Sequence, residues 1–122
     1  MRIRDAHTTD VLTVDAEASL REVCRVMAAA DVGAVAVTGD EDIGIISERD
    51  VVRAVASDTD LDKTHVRDHA SYQVRTADLD ADTVYVAHIM LDHGIRHIPV
   101  VDEGKLVGIV SMRDLLAIET WA

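Results

Sequence analysis

The feature that most constrains this chain is that one sequence unit occurs in it twice. GIISERD (44–50) aligns with GIVSMRD (108–114), with five of seven positions identical and a sixth pairing Ile with Val. Upstream, a shift of 63 residues superposes six further positions: Val11, Thr13, Asp15, Val23, Met27 and Val37 on Val74, Thr76, Asp78, Val86, Met90 and Val100. One copy is too small to hide its apolar face, so the two copies are expected to bury a common surface.

Each copy has the pattern strand, helix, strand, strand, helix. In the first copy, Ser19 and Glu22 form the S-x-x-E pattern of a capping box, which predicts a helix start. Apolar residues follow at helical spacing, namely Leu20, Val23, Cys24 and Met27. The runs 34–38 (AVAVT) and 43–46 (IGII) predict strands joined by the turn TGDED, and a second helix is expected from Glu48 to Ser57.

The second copy repeats this order. Asp82 is the expected N-cap of a helix that ends near Asp92, and another helix is expected from Met112 onward. HIPVV (97–101) and LVGIV (106–110) predict the two strands, with DEGK as their turn. Apolar runs as continuous as these indicate strands that are covered on both faces.

The predicted fold class is therefore α/β, with two small sheets flanked by helices and related by a pseudo-twofold axis. Residues 1–57 are assigned to the first repeat and residues 71–122 to the second. Residues 58–70 are polar and are interpreted as a connector with room for a helical turn. The two repeats are expected to form one globular module.

The net charge of the chain argues against nucleic-acid binding. The chain carries 23 acidic and 12 basic residues, a net charge of −11, and such a field repels phosphate backbones. Two tyrosines, one tryptophan and no phenylalanine offer no platform for stacking bases. No nucleic-acid partner is expected. The acidic, lysine-poor composition indicates a well-solvated surface, and it also resembles that of proteins from salt-loving organisms.

The expected location is the cytoplasm. The single cysteine, Cys24, cannot form an internal disulfide, which favours a reducing compartment. The first ten residues lack the apolar core of a signal peptide, and no apolar run is long enough to cross a bilayer. Membrane insertion is therefore not expected.

The block of strand, turn, strand and helix resembles the CBS family, named for the domain at the end of cystathionine β-synthase. It reads VGAVAVTGDEDIGIISERDVV (32–52) in the first copy and GIRHIPVVDEGKLVGIVSMRDLL (94–116) in the second. The resemblance extends from about residue 10 to residue 118. The chain is thus similar to a stand-alone tandem pair of CBS-type repeats.

This resemblance implies a regulatory module that binds AMP, ADP, ATP or S-adenosylmethionine in clefts between the two repeats. It also implies that the module is not an enzyme, that it requires no cofactor, and that it passes the signal to an effector protein. A homodimer through the helices is expected. The alternative is a ligand-free structural or dimerisation module that kept the fold.

Two Ser–Asp pairs are the candidate ligand-binding residues. Ser47 with Asp50, and Ser111 with Asp114, stand three apart at predicted strand-to-helix turns. This spacing is also that of an ordinary capping box, so a purely structural role is the competing interpretation. The ligand-binding interpretation rests on a helix start, which attracts anions, and on a carboxylate, which accepts from ribose hydroxyls. In the family, the matching Ser and Asp contact ribose and phosphate.

The resemblance further implies that each pair faces strand residues of the other repeat. Ser111 and Asp114 are expected to face Thr13, Val32 and Gly33, and Ser47 and Asp50 to face Thr76, Ile95 and Arg96. Arg96 and His97 could meet phosphates, whereas the first copy has Gly33 and Ala34 in their place. We therefore expect the site that joins Ser47 and Asp50 to Arg96 to bind anions better. A surface salt bridge is the competing interpretation of Arg96.

The glycines and the proline of these blocks give two further expectations. Gly44 and Gly108 lack a side chain just before the turn, so another group, such as a ligand, could approach the backbone there. Pro99 cannot donate to a strand ladder and is expected at a strand edge.

Other combinations of residues carry little chemistry. His88, His93 and His97 have no recognised metal spacing, and no metal site is predicted. Cys24 lies on an apolar helix face, which favours an inert core thiol over a nucleophile. No catalytic or phosphate-loop motif occurs.

The acidic composition generates a first prediction. Raising the salt concentration from about 0.1 M to about 1 M should raise the urea midpoint of unfolding, because the screening length falls from roughly 10 Å to roughly 3 Å and acidic self-repulsion weakens. Equilibrium unfolding followed by circular dichroism measures this. An unchanged or lower midpoint at high salt would contradict the halophilic interpretation.

Overall fold

A computed structural model describes residues 1–6 and 11–121, and its packing divides the chain into two units. The first-repeat unit comprises Leu12–Val74. Its elements are β1 (Thr13–Asp15), α1 (Leu20–Ala30), β2 (Ala34–Thr38), β3 (Gly44–Ser47) and α2 (Glu48–Ala56). The sheet order is β1-β2-β3, with β1 parallel and β3 antiparallel to β2.

The second-repeat unit comprises the described residues up to Val11 and those from Arg75 onward. Its elements are β4 (Ala77–Asp78), α3 (Thr83–His93), β5 (His97–Asp102), β6 (Lys105–Ser111) and α4 (Met112–Trp121). The sheet order β4-β5-β6 repeats that of the first unit, again with a parallel and then an antiparallel pair. The predicted α/β class and the predicted order of elements are confirmed in both repeats.

Side-chain capping explains where helices α1 and α3 begin. The Ser19 hydroxyl accepts from the Glu22 amide (3.1 Å), and an Asp82 carboxylate oxygen accepts from the Val84 amide (2.8 Å). These backbone hydrogen bonds hold the pKa of Asp82 below its usual value. Both helices end at a residue in the left-handed conformation, Asp31 in the first copy and Gly94 in the second.

Each unit has its own apolar core around its central strand. Ala34–Val37 of β2 are buried throughout, as are Ile98–Val100 of β5, as expected for a strand that packs on both faces. The α1 positions predicted from helical spacing contribute Leu20, Val23 and Met27 to the first core. Cys24, on the same helix, is only partly buried and so lies at the margin of that core.

The start of the chain packs into the second-repeat unit. Ile3 is completely buried in that unit's core, together with Ala6. The Ile3 amide donates to the Ala81 carbonyl (2.9 Å), and the Thr83 amide donates to the Met1 carbonyl (2.8 Å). This differs from the sequence-based assignment of residues 1–57 to the first repeat. The internal alignment begins at Val11 and holds no information on the residues before it.

The connector, residues 58–70, is packed as part of the first-repeat unit. It contains the expected helical turn, a 3-10 turn at Val66–Asp68, and the Val66 side chain is completely buried in the first core. Further on, Ser71 and Ile45 exchange two backbone hydrogen bonds of 2.9 Å. Ser71, which directly follows the connector, therefore continues the first sheet beyond β3 and covers a strand edge that would otherwise be open.

Tyr72, which follows the connector and lies in the first-repeat unit, explains why position 44 is a glycine. A Cβ atom at Gly44 would lie 2.7 Å from Cε1 of Tyr72, closer than side-chain atoms pack. The Tyr72 hydroxyl donates to Asp40 (3.2 Å), and Arg67 lies 3.5 Å from the same carboxylate. Burial of the ring, and then the hydrogen bond to Asp40, raises the pKa of Tyr72. The group that approaches the backbone at Gly44 is thus a tyrosine ring, which corrects the expectation of a ligand there.

Pro99 lies in the central strand β5, so its expected position at a sheet edge is wrong. In the first repeat the equivalent residue, Ala36, donates its amide to the Leu12 carbonyl (3.0 Å). In the second repeat the parallel pairing begins only one residue later, at Ala77 with Val100. Pro99, which has no amide hydrogen to donate, is tolerated because the shorter β4 does not pair at that position and no hydrogen-bond donor is needed there.

The N-terminal packing generates a second prediction. Ile3→Ala should destabilise the second-repeat unit by about 2–5 kcal/mol, because it leaves a cavity in a closed core. Amide hydrogen exchange should show the loss of protection in residues 75–121 rather than in 12–74. Val107→Ala, at an exposed position of β6, is the control and should change little. Equal loss of protection in both units would contradict the assignment of Ile3 to the second core.

The contact between Gly44 and Tyr72 generates a third. Gly44→Ala should cost about 1–3 kcal/mol, because the new methyl displaces the tyrosine ring. Tyr72→Ala should also destabilise, but the two changes together should cost clearly less than their sum, since the clash needs both side chains. Urea unfolding of the four proteins in the cycle measures the coupling. Strict additivity would show that the ring does not constrain position 44.

Candidate functional site

In each sheet, three segments that are separate in the sequence meet at one end of the sheet. Because β1 runs parallel to β2 and β3 runs antiparallel to it, the start of β1, the residues before β2 and the end of β3 share an end of the sheet. The candidate ligand-binding residues stand at these positions in both repeats. The first-repeat cluster is Thr13, Val32, Gly33, Ser47 and Asp50, and the second-repeat cluster is Thr76, Ile95, Arg96, His97, Ser111 and Asp114.

In the first-repeat cluster the strand ends are tied together by the backbone. Ser47 pairs with Ala34, and the Glu48 amide donates to the Gly33 carbonyl (2.9 Å). Thr13 pairs with Ala36 and is exposed. It therefore lies two residues, or roughly 7 Å, further along the sheet.

The second-repeat cluster has the same geometry. Ser111 pairs with His97, and the Met112 amide donates to the Arg96 carbonyl (2.8 Å). Thr76 is exposed and directly precedes β4. The residue before the central strand thus accepts the first amide of the last helix in both repeats.

Both Ser–Asp pairs form the predicted capping boxes. The Ser47 amide donates to Asp50 Oδ2 (2.8 Å), and the Asp50 amide donates to the Ser47 hydroxyl (3.4 Å). In the second repeat the corresponding distances, between Ser111 and Asp114, are 2.8 and 3.0 Å. All four residues are partly buried. The structural interpretation of the spacing is therefore confirmed.

Capping uses only part of the hydrogen-bonding capacity of these carboxylates. Each box engages Oδ2 of its aspartate, and an ionised carboxylate has about four acceptor positions. The box also fixes the carboxylate at a helix start, where the first-turn amides point outward and the helix dipole favours negative charge. The arrangement can accept hydroxyl groups and attract an anion at adjacent points.

The two clusters differ in charge. The second carries Arg96, which is exposed, and His97, which is partly buried, whereas the first has Gly33 and Ala34 at the equivalent positions. The second cluster therefore has a cationic group and an imidazole that the first lacks. Every contact given above lies within one repeat, and the facing of each Ser–Asp pair by residues of the other repeat stays a prediction.

Metal and membrane roles find no support in the described part of the chain. Over residues 1–6 and 11–121, no three histidine, cysteine or acidic side chains are grouped as a metal site requires. In the same ranges no helix combines the length and apolar character needed to cross a bilayer.

Comparison with known proteins gives a consistent result. The family described as CBS domain matches twice, over residues 3–57 and 66–119. An uncharacterized protein of Methanopyrus kandleri is 37% identical over 116 residues, which cover 92% of this chain and 59% of that protein. The chain therefore spans little more than half the length of this relative.

Two solved structures show the same fold over nearly the whole chain. A CBS-domain containing protein from Agrobacterium tumefaciens has a TM-score of 0.88 at 29% identity, with 98% of this chain and 99% of that chain covered. A CBS domain protein from Pyrobaculum aerophilum complexed with AMP has a TM-score of 0.85 at 30% identity, with 98% and 99% covered. Because the family matches twice and the two matches together span most of the chain, this chain belongs to the CBS domain family and carries two CBS domains in tandem.

Proposed function

We propose that this tandem CBS pair is a sensor that binds an adenosine-containing ligand, namely AMP, ADP, ATP or S-adenosylmethionine. The observation that carries the proposal is the pair of equivalent clusters, each with a carboxylate fixed beside a helix start. The Pyrobaculum aerophilum protein, which shares 30% of its sequence with this chain, is complexed with AMP. That relative supports adenosine as the common part of the ligand.

The chemistry of the clusters suits a ribose. Asp50 and Asp114 are held by their capping boxes, so neither needs to reorganise to accept the two ribose hydroxyls. The adjoining helix amides suit a phosphate or carboxylate oxygen. Val32 and Ile95, which precede the central strands, offer aliphatic surface for an adenine ring recognised by backbone groups.

Arg96 and His97 are proposed to select the charged part of the ligand. A guanidinium can bind a phosphate through two parallel hydrogen bonds, which an alanine or glycine cannot do. The site to which Arg96 contributes, proposed to include Ser47 and Asp50, therefore prefers AMP, ADP or ATP over an uncharged nucleoside.

The output of the sensor is proposed to be a change in protein association. Ligand binding and partner binding are linked when one changes the affinity for the other. The partners are a second copy, forming a homodimer through the helices, and an effector protein in the cytoplasm. Exposed apolar side chains on three helices support such contacts, with Val52, Leu91 and Leu116 exposed by 64%, 69% and 57%.

A second candidate function is a structural or dimerisation module that has lost its ligand. The observation that favours it is that both aspartates already serve their own helix starts. A retained capping box would keep the fold without any selection for a ligand.

Thermal unfolding with each of the four ligands tests the proposal. At about 100 times a micromolar Kd, a true ligand should add about 2.7 kcal/mol, which raises Tm by roughly 10 °C in a domain of this size. No shift with any ligand, at low or high salt, would favour the structural module.

Variants locate the site within each repeat. Asp50→Asn and Asp114→Asn should each remove part of the ligand-induced shift while keeping most of the cap, because an amide oxygen still accepts from the serine amide. The matched control is Asp82→Asn, which neutralises an N-cap carboxylate at the start of α3, at the opposite end of the sheet from Ser111. A control that loses as much of the shift as Asp114→Asn would contradict the assignment.

A further inference from the structure

The turn between the first helix and the central strand carries a different residue in the two repeats. Helix α1 ends at Asp31 and helix α3 ends at Gly94, and the internal alignment makes these positions equivalent. Both residues are in the left-handed conformation, with φ values of 55° and 63°. Each directly precedes the aliphatic residue of its cluster, Val32 or Ile95.

For folding alone, aspartate is a poor choice at position 31. A left-handed backbone costs a residue with a Cβ atom free energy that glycine does not lose. A carboxylate at the end of a helix also meets the negative end of the helix dipole. Among the residues that the structure describes, the Asp31 carboxylate has no hydrogen bond or ion pair to offset these costs, and its side chain is exposed. A residue that is unfavourable for folding and has no partner there indicates another role.

The charges around the two clusters have opposite signs. The positions compared are the start of the first strand, the turn before the central strand and the strand-to-helix turn, namely residues 12–13, 31–34 and 47–50 against 75–76, 94–97 and 111–114. The first set has a net charge of −2, from Asp31, Glu48, Arg49 and Asp50. The second set has a net charge of +2, with His97 neutral, from Arg75, Arg96, Arg113 and Asp114. Equivalent ends of two similar sheets therefore differ by four charges.

Two of the acidic residues stand next to Gly33 of the first-repeat cluster. The Glu48 amide donates to the Gly33 carbonyl (2.9 Å), and Asp31 precedes Gly33 by two residues, which is a Cα separation of roughly 7 Å or less. The second repeat has the uncharged Met112 and Gly94 at these positions. An AMP phosphate carries nearly two negative charges at neutral pH and is repelled by such carboxylates, whereas a cationic group is attracted.

We propose that Asp31 makes the site to which Val32 and Gly33 contribute select S-adenosylmethionine, while the site with Arg96 takes the phosphorylated nucleosides. This inference rests on the proposed function and adds which ligand each site takes. S-adenosylmethionine is the cationic member of the four ligands, because its sulfonium and ammonium groups outweigh its carboxylate. The module then reads two ligands of opposite charge at the same time.

Competition between the ligands is the first test. Isothermal titration calorimetry of the full chain with S-adenosylmethionine should show one binding event, and saturation with AMP should leave its Kd within about threefold, because the two ligands occupy different sites. Displacement of S-adenosylmethionine by AMP would overturn the inference.

Substitution of Asp31 is the second test. Asp31→Asn removes the charge and keeps a residue type that tolerates the left-handed conformation, and Asp31→Gly copies the second repeat. Both variants should bind S-adenosylmethionine about fivefold more weakly, and AMP should now compete with it, because the repulsion of phosphate is reduced. Circular dichroism and urea unfolding verify that the variants fold, with midpoints no lower than that of the wild type.

Asp58→Asn is the matched control. Asp58 is exposed, has a φ of 57° and follows the end of α2, so its substitution makes the same change in charge and in backbone preference. Helix α2 begins at the cluster, and its nine residues place Asp58 roughly 13 Å away. The control should bind both ligands like the wild type, and an effect equal to that of Asp31→Asn would overturn the assignment.

The outcomes separate this inference from the proposed function. Binding of AMP without any binding of S-adenosylmethionine would overturn the selection by Asp31 and leave the sensor intact. Binding of none of the four ligands would overturn both.

Discussion

The junction between the third strand and the last helix of each repeat is the constraint on which the rest of the site depends. At this junction the serine hydroxyl accepts from the aspartate amide, and the aspartate carboxylate accepts from the serine amide. The next amide in the chain donates to the carbonyl of the residue before the central strand. These contacts join β2 to β3 and β3 to α2 at one point. The carboxylate is positioned by helix capping, so the proposed ligand binding and the folding of the helix start depend on the same side chain.

This shared use changes how the aspartates are interpreted. A capping role and the proposed ligand role do not exclude each other, because the cap supplies the rigidity that a binding carboxylate requires. A side chain that is already ordered loses little conformational entropy when a ligand arrives. The capping role also explains how a relative could lose its ligand and keep the Ser–Asp motif, since folding alone would retain the motif.

Duplication made the two repeats alike, and divergence gave them different surfaces. Arg96 and His97 stand where the first copy has Gly33 and Ala34, so the clusters differ in charge. On the outer helices, Val84 and His88 of the second repeat correspond to Arg21 and Arg25 of the first.

The sequence by itself determined the duplication, the order of the elements and both capping boxes, because these are encoded in local patterns that repeat. Only the tertiary structure decided where the first residues of the chain and the connector pack. Ile3 is buried in the second core, and Val66 is buried in the first. It also showed Tyr72 against Gly44 and Pro99 in a central strand. The spacing of apolar residues indicates which side chains are buried, but it does not indicate which surface buries them. Any segment that the topology brings near can complete a buried site.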